Sequence, residues 1–210
     1  MTPDYIIFTD ASVKLIGEDN ISAYAAVLLN CTTMKYTTIS GMLHHRSICF
    51  CEAWAIYQGL RTMNRIRKEN KLEKVKLLVV TDSKLNVQIL TDWIKNKWDT
   101  SDWYNWKKRG DGVVQNQDIY RLIVKVLDNP HLKVRLIHMN SHAGENQAKQ
   151  KSIFAKLAKE NINISENVCR LFVKMNAVAD ETAHQLVLKE YRHPSDFEKL
   201  KYKKGKMLYV

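Results

Sequence analysis

An α/β fold on a five-stranded mixed sheet, three strands antiparallel and two further strands parallel with helices on both faces, is predicted by three features of this chain. Three strand-like segments follow one another through short connections near the N-terminus. Two more apolar runs, 74–81 and 133–137, are each reached through a long helical stretch. The runs Tyr5–Thr9 and Val75–Thr81 each end on an aspartate, Asp10 and Asp82. A near-continuous apolar run reads as a strand covered on both sides. A charge at the end of such a strand is costly unless it is paired or bound to metal.

Residues 4–13 form the first strand. Ser22–Leu29 and Met34–Met42 form the next two, after turns near Gly17-Glu18-Asp19-Asn20 and Asn30-Cys31-Thr32. Such short links make an antiparallel meander. A helix near 50–69 carries Glu52, with apolar residues 53, 56, 57 and 60 at helical spacing. It crosses over to the strand 74–81. A helix opened by Ser83 follows, with apolar residues at 87, 90 and 94. The next, Asn116 to Leu127, stops at Asp128-Asn129-Pro130 and leads into the strand 133–137. Crossovers of this length join parallel strands, whose carboxyl ends are the usual place for a site. Lys151–Glu160 and Glu166–Met175 read as helical pieces around Asn161-Ile162-Asn163-Ile164-Ser165, with Ser165 as N-cap. The apolar face 168, 171, 172, 175, 179, 183 and 186 runs on through Asp180. One long helix from about 166 to 189 is therefore expected, with Asp180 in its middle.

A chain of 210 residues suits one domain with a normal core. We assign it to 1–190, with a helical insertion at about 146–174 and a basic tail at 191–210. Hydrophobic content of 45% and charged content of 26% are ordinary for a globular protein. The net charge of +11 is not, and it favours a polyanionic partner over a membrane surface. No apolar stretch reaches the length of a membrane span, and Met1-Thr2-Pro3-Asp4 lacks a signal-peptide pattern. The four cysteines, at 31, 49, 51 and 169, form no Cys-x-x-Cys pair and suit neither a zinc site nor a disulfide scaffold. They read as reduced core residues of a cytoplasmic protein.

Two strand-end and two helix-borne carboxylates, Asp10, Asp82, Glu52 and Asp180, could converge on a pair of divalent cations. The stretches that hold them, in order, are Phe8-Thr9-Asp10-Ala11-Ser12, Ser47 to Leu60, Val80-Thr81-Asp82-Ser83, His138 to Gly144, and Asn176 to Ala183. Five such motifs in this order, each on its proper element, resemble the type 1 ribonuclease H family. The resemblance covers most of 4–145 and 175–189, and leaves out 146–174 and the last twenty or so residues.

The resemblance implies an Mg²⁺-dependent endonuclease that hydrolyses the RNA strand of RNA–DNA hybrids; a monomer is expected. It implies two Mg²⁺ ions, for which Mn²⁺ can substitute. Mg²⁺ prefers oxygen ligands and keeps several waters, so carboxylates suit it and thiols do not. Paired ions activate the attacking water and stabilise the leaving oxygen. By resemblance Asp10 bridges both ions, Glu52 and Asp82 serve the leaving-group side, and Asp180 serves the ion carrying the nucleophilic water. His142 resembles the family's mobile histidine, suited to proton transfer and product release. His138 alternates with strand residues and reads as structural.

The family's basic, tryptophan-bearing protrusion corresponds to Trp93 through Arg109, which holds all but one of the five tryptophans. Trp98, Trp103, Trp106, Lys107, Lys108 and Arg109 are its expected nucleic-acid contacts, through phosphate neutralisation and sugar packing. Trp103 and Trp106 lie in a polar segment and are better placed for this than Trp93. Ser12, Ser47, Cys49 and Asn116 complete the expected contacts.

Three departures from the family pattern stand out. Ala11 replaces a frequent glycine. Ser47-Ile48-Cys49-Phe50-Cys51 replaces a threonine and two asparagines. Ser47 can still donate to a phosphate, and main-chain groups around Ala11 and 49–51 can meet the 2′-OH groups that mark RNA. The interval from His142 to Asp180 is far longer than in compact members, and the extra hairpin is expected to form a wall or lid over the substrate groove. Two other readings stand beside the hybrid nuclease: a nuclease of the same fold acting on DNA or DNA junctions, and a silent nucleic-acid-binding module. The presence of all four carboxylates argues against the silent module.

Overall fold

The computed structural model describes residues 1–16, 19–108, 112–139 and 147–192, apart from the side chains of Ile16, Asp19, residues 147–150 and Arg192. Strands β1 (Tyr5–Ile16), β2 (Asp19–Asn30) and β3 (Tyr36–His44) form the meander. Helix α1 (Ile48–Glu69) leads to β4 (Val75–Thr81). Next come α2 (Lys84–Gln88), a π-helical turn at Ile89–Trp93 and the short α3 (Ile94–Asn96). A two-stranded ribbon, β5 (Trp98–Asp99) with β6 (Lys107–Lys108), follows. Then come α4 (Gln117–Leu127), β7 (Leu132–His138), α5 (Gln147–Lys159) and α6 (Glu166–Arg192).

The main sheet has the order β3-β2-β1-β4-β7. β2 is antiparallel to β1 and β3, while β1, β4 and β7 run parallel. The predicted sheet is present, with helices on both faces. Differences lie at the ends. The meander strands run further than expected at several ends because pairing continues past the apolar residues, out to Leu15 opposite Asn20. The ribbon was not anticipated, since its strands are two residues long and carry no alternation.

Alternation along each strand builds two cores. On one face Ile7, Leu28, Leu77 and Val79 pack against Ala53, Ile56, Leu60 and Met63 of α1, and Ile119, Tyr120 and Ile123 of α4 join them. The helix comes very close to the sheet at Gly59: a Cβ there would meet Ile7 Cγ2 at 2.6 Å, which explains the glycine in mid-helix despite its cost.

On the other face Ile6, Phe8, Val27, Leu78, Val80 and Ile137 meet Leu157 of α5 and Val168, Phe172, Met175 and Ala179 of α6. Phe172 stands edge-on to Phe8, with ring centroids 4.9 Å apart at 81°. Residues 157–172 belong to the segment expected to wall the substrate groove. In its described part that segment is instead the second hydrophobic layer of the fold. The joint between α5 and α6 is tied to the chain's start, where the Met1 ammonium donates to the Asn161 carbonyl and Asn163 N–H to Met1 O at 2.9 Å.

A wall outside the core could be truncated at little cost to stability, whereas a core layer could not. Phe172→Ala is expected to destabilise the fold by about 3–5 kcal/mol in urea denaturation. A midpoint equal to that of the parent chain would mean that α6 is a peripheral addition.

Candidate functional site

The register of β1 and β4 creates the site. Thr9 of β1 is the last parallel partner of β4, opposite Thr81, so Asp82 leaves β4 beside Asp10, which stays in β1 paired with Ala25 of β2; the expected strand end at Asp10 is thus a mid-strand position. Neighbouring strands lie about 4.8 Å apart, and two carboxylates at that spacing repel. Asp10 is only 8% exposed. Its carboxyl is pushed up to about 8, first by burial and then by the charge of Asp82. The charges of Asp180 and Glu52 push in the same direction, while an Ala11 N–H at 2.7 Å on its Oδ1 opposes them. All four predicted carboxylates therefore act on one another at Asp10. α6 lies across β1 and β2, which carries Asp180 to the carboxylate end of the sheet.

Glu52 arrives just after the first turn of α1. Ser47 caps that helix, its Oγ accepting from Phe50 N–H at 3.3 Å. Ser47 is exposed, and in this cap its hydroxyl oxygen accepts, which leaves the hydroxyl proton free to donate elsewhere. Burial raises the Glu52 carboxyl and the Asp82 charge adds to this, while hydrogen bonds from Ser83 and Asn86 oppose it.

Asn86 was not foreseen. It is fully buried, and its side-chain amide donates to Glu52 Oε2 at 3.2 Å, Cys49 O at 3.1 Å and Ser83 Oγ at 2.9 Å. Its Oδ1 accepts from the Tyr120 hydroxyl at 2.7 Å. One amide thus links the start of α1, the start of α2 and α4 behind a catalytic-type carboxylate. The available signal was a polar residue on the apolar side of the helix opened by Ser83, on the face shared with buried Ile89 and Leu90.

The expected contacts separate clearly. Ser12 follows Asp10 by two residues and so points to the same face of β1. Cys49 is half-buried, with Sγ 3.4 Å from Tyr120 Oη, and burial pushes its thiol up. Its carbonyl, one of the groups expected to meet a 2′-OH, is already bonded to Asn86. Trp106 is a correction: it is 1% exposed and sits in the core, packed near Trp98 and Trp103, so it does not meet nucleic acid. The polar neighbours that suggested exposure belong to the ribbon folded over it. Trp98 is half-buried among Trp93, Trp106 and Tyr120. Trp103 is 43% exposed, and Lys107 and Lys108 are exposed on β6. Asn116 occupies the N-cap position of α4 in the left-handed region, φ 55°, without a capping side-chain bond. His138 is half-buried, and its ring hydrogen-bonds the Asp82 main chain, in keeping with a structural role. His142, Arg109 and the basic tail lie outside the described residues.

Four carboxylates with mutual repulsion fit hard divalent cations by donor type and by charge. Among the described residues no three His, Cys, Asp or Glu side chains are gathered closely enough to hold a metal as they stand. They stand within electrostatic reach of Asp10 rather than in a closed cage, the spread that like charges adopt. Rotation of short Asp and Glu side chains is what ligation requires.

The RNase H family model matches residues 2–163, which includes Asp10, Glu52 and Asp82 and stops short of Asp180. No curated protein matches the chain in sequence. Solved structures share its fold. A foamy virus protease–reverse transcriptase in complex with dsDNA is similar at TM-score 0.53 and 15% identity, over 71% of this chain and 90% of that one. The foamy viral protease–reverse transcriptase in complex with RNA/DNA hybrid matches at TM-score 0.52 and 13% identity, over 70% of this chain and 19% of the viral one. This chain thus spans about a fifth of that polypeptide. LC11-RNase H1, isolated from compost by a metagenomic approach, matches at TM-score 0.53 and 15% identity, over 90% of this chain and 99% of that one.

The raised Asp10 carboxyl makes stability pH-dependent. Between its ordinary value of 3.8 and about 8 the folded state holds a proton that the unfolded chain releases. Stability without divalent ions therefore falls as pH rises through that window. In EDTA, Asp10→Asn is expected to melt several degrees above the parent chain at pH 8, and the gap is expected to close towards pH 4. An equal difference at both pH values would show that Asp10 is not crowded by charge.

Proposed function

The chain belongs to the RNase H family, whose members are ribonuclease H enzymes, and we propose that it cleaves the RNA strand of RNA–DNA hybrids at the four-carboxylate site with Mg²⁺ bound there. The observation that carries this reading is the juxtaposition of Asp10 and Asp82 where the parallel pairing of β1 and β4 ends, with Glu52 and Asp180 adding charge at the same point. An anionic pocket cannot by itself receive a phosphodiester, so cations must join it. Asp10, Glu52, Asp82 and Asp180 would hold two ions, which supply activation of water and charge stabilisation at the leaving oxygen.

The remaining roles fall to the chain's own groups. Ser83 and Asn86 fix the direction of the Glu52 carboxylate through hydrogen bonds. Ser47 donates to a phosphate of the DNA strand from the mouth of α1. Lys107 and Lys108 neutralise backbone charge on the β6 side. His142 moves a proton to the departing product. RNA is told from DNA at its 2′-OH groups, met by main-chain groups near Ala11 now that the Cys49 carbonyl is engaged. A hybrid-bound viral structure of the same fold supports this substrate class. We further propose a monomer in the cytoplasm. The four cysteines are free, and among the described residues no helix is long and apolar enough to cross a membrane.

Matched RNA–DNA hybrid, DNA duplex and RNA duplex, each incubated with Mg²⁺ and then with EDTA, test this directly. Cleavage confined to the RNA of the hybrid and lost in EDTA is expected, with Asp10→Asn inactive yet still binding hybrid. Equal cutting of DNA duplex, or turnover by pure Asp10→Asn protein, would refute the assignment.

A further inference from the structure

A second feature lies along a flank of α1. A cleft of about 560 Å³ opens between α1, the loop holding Trp103 and Tyr104, and α4. Its size is within the range of pockets that seat small organic groups. Trp54 and Tyr57 of α1 line one side, and Trp103 and Tyr104 line the other. Tyr104 is 81% exposed and Trp103 43%, an unusual pair of surface aromatics.

The loop is held in place. Arg121 donates from Nη1 to the Trp103 carbonyl at 2.7 Å, and its guanidinium stands 5.9 Å from the Tyr104 ring centre. Trp103 rests edge-on against buried Trp106, 5.9 Å away at 84°. The cleft is also cationic, for Arg61, Arg121 and Lys125 line it and Asp118 is the only acid among its described lining residues.

The cleft is joined to the start of α1 by a run of contacting rings. The Arg46 guanidinium lies 4.4 Å over the Phe50 ring, Phe50 stacks on Trp54 at 5.9 Å and 17°, and Trp54 meets Tyr57 at 5.5 Å. At roughly 100° of turn per residue, Phe50, Trp54, Tyr57 and Arg61 share the face of α1 turned away from Glu52 and the sheet. The cleft is therefore a separate surface on the far side of the helix, a row of aromatics ending among three cations.

We propose that this cleft binds the unpaired bases of a single strand, a second nucleic-acid contact apart from the duplex at the carboxylates, an inference that rests on the hybrid-cleaving reading. Aromatic faces stack on bases only where those bases are free of their duplex neighbours, and the cations follow the phosphates. A paired backbone presents no such faces, and a proline-rich peptide, which also suits aromatic grooves, gives no use for the excess of positive charge.

The full chain is titrated, without divalent ions, into short fluorescent oligo-dT and oligo-rU and into a blunt-ended hybrid, with anisotropy as the readout. Tyr104→Ala is expected to weaken single-strand binding about tenfold or more, as loss of a stacking face does. Arg61→Ala with Lys125→Ala is expected to reduce the salt slope by about one to two units. Blunt hybrid should bind to all these variants as to the parent chain, and in a parallel assay with Mg²⁺ it should be cut by all of them as by the parent chain. Tighter binding of either oligonucleotide supports the cleft and identifies the strand it takes. Parent-like single-strand binding by Tyr104→Ala, or preference for a proline-rich peptide, overturns the proposal. Failure of the parent chain to cut blunt hybrid would instead refute the proposed function, and the binding data would still report on the cleft.

Discussion

Repulsion between carboxylates held on adjacent strands where their parallel pairing ends governs this molecule. Two paired strands in a buried sheet cannot separate, so Asp10, within β1, and Asp82, just past β4, are pressed together by the same hydrogen-bond ladder that builds the core. Burial removes the water that would screen them, which is why the Asp10 carboxyl moves so far from its ordinary range. The sheet tolerates this because both of its faces are packed with helices. Stability gathered across two cores is concentrated as electrostatic strain at one end, where a cation would relieve it.

The four carboxylates draw on three sources of rigidity. Asp10 and Asp82 depend on sheet register, Asp180 on a 27-residue helix anchored over β1 and β2, and Glu52 on the capped N-terminal end of α1. Glu52 is oriented by a buried polar network, in which Asn86 joins three elements. Such networks are effective only when every member is satisfied, and Asn86 has a partner for both ends of its amide. The segment between β7 and Asp180 contributes in a related way. Its apolar residues close the second core, so the long interval before the fourth carboxylate serves to build the platform under it.

Much of this was legible in the residues. Apolar runs ending in Asp10 and Asp82 gave the buried strands, and the unbroken apolar face through Asp180 gave the long helix, because both signals are strictly periodic. Trp106 was misjudged because its neighbours in sequence are polar while its neighbours in space are Trp98, Trp103 and the core. The small ribbon that buries it is held by long-range pairing of two-residue strands, which leaves no periodic trace. Asn86 escaped notice for a similar reason: its partners lie on α1 and α4, distant in the chain. The insertion was legible as helix but not as core, since an amphipathic pattern does not say which surface its apolar face will meet.

The central claim is that the four side chains at 10, 52, 82 and 180 form one divalent-cation site. A crystal of the full chain soaked in Mn²⁺, with anomalous scattering collected at the manganese edge, tests it most directly. The account predicts two strong peaks within ligating distance of these carboxylates, Asp10 touching both. Peaks lodged elsewhere, or a site that leaves Asp180 or Glu52 without contact to the metal, would contradict it.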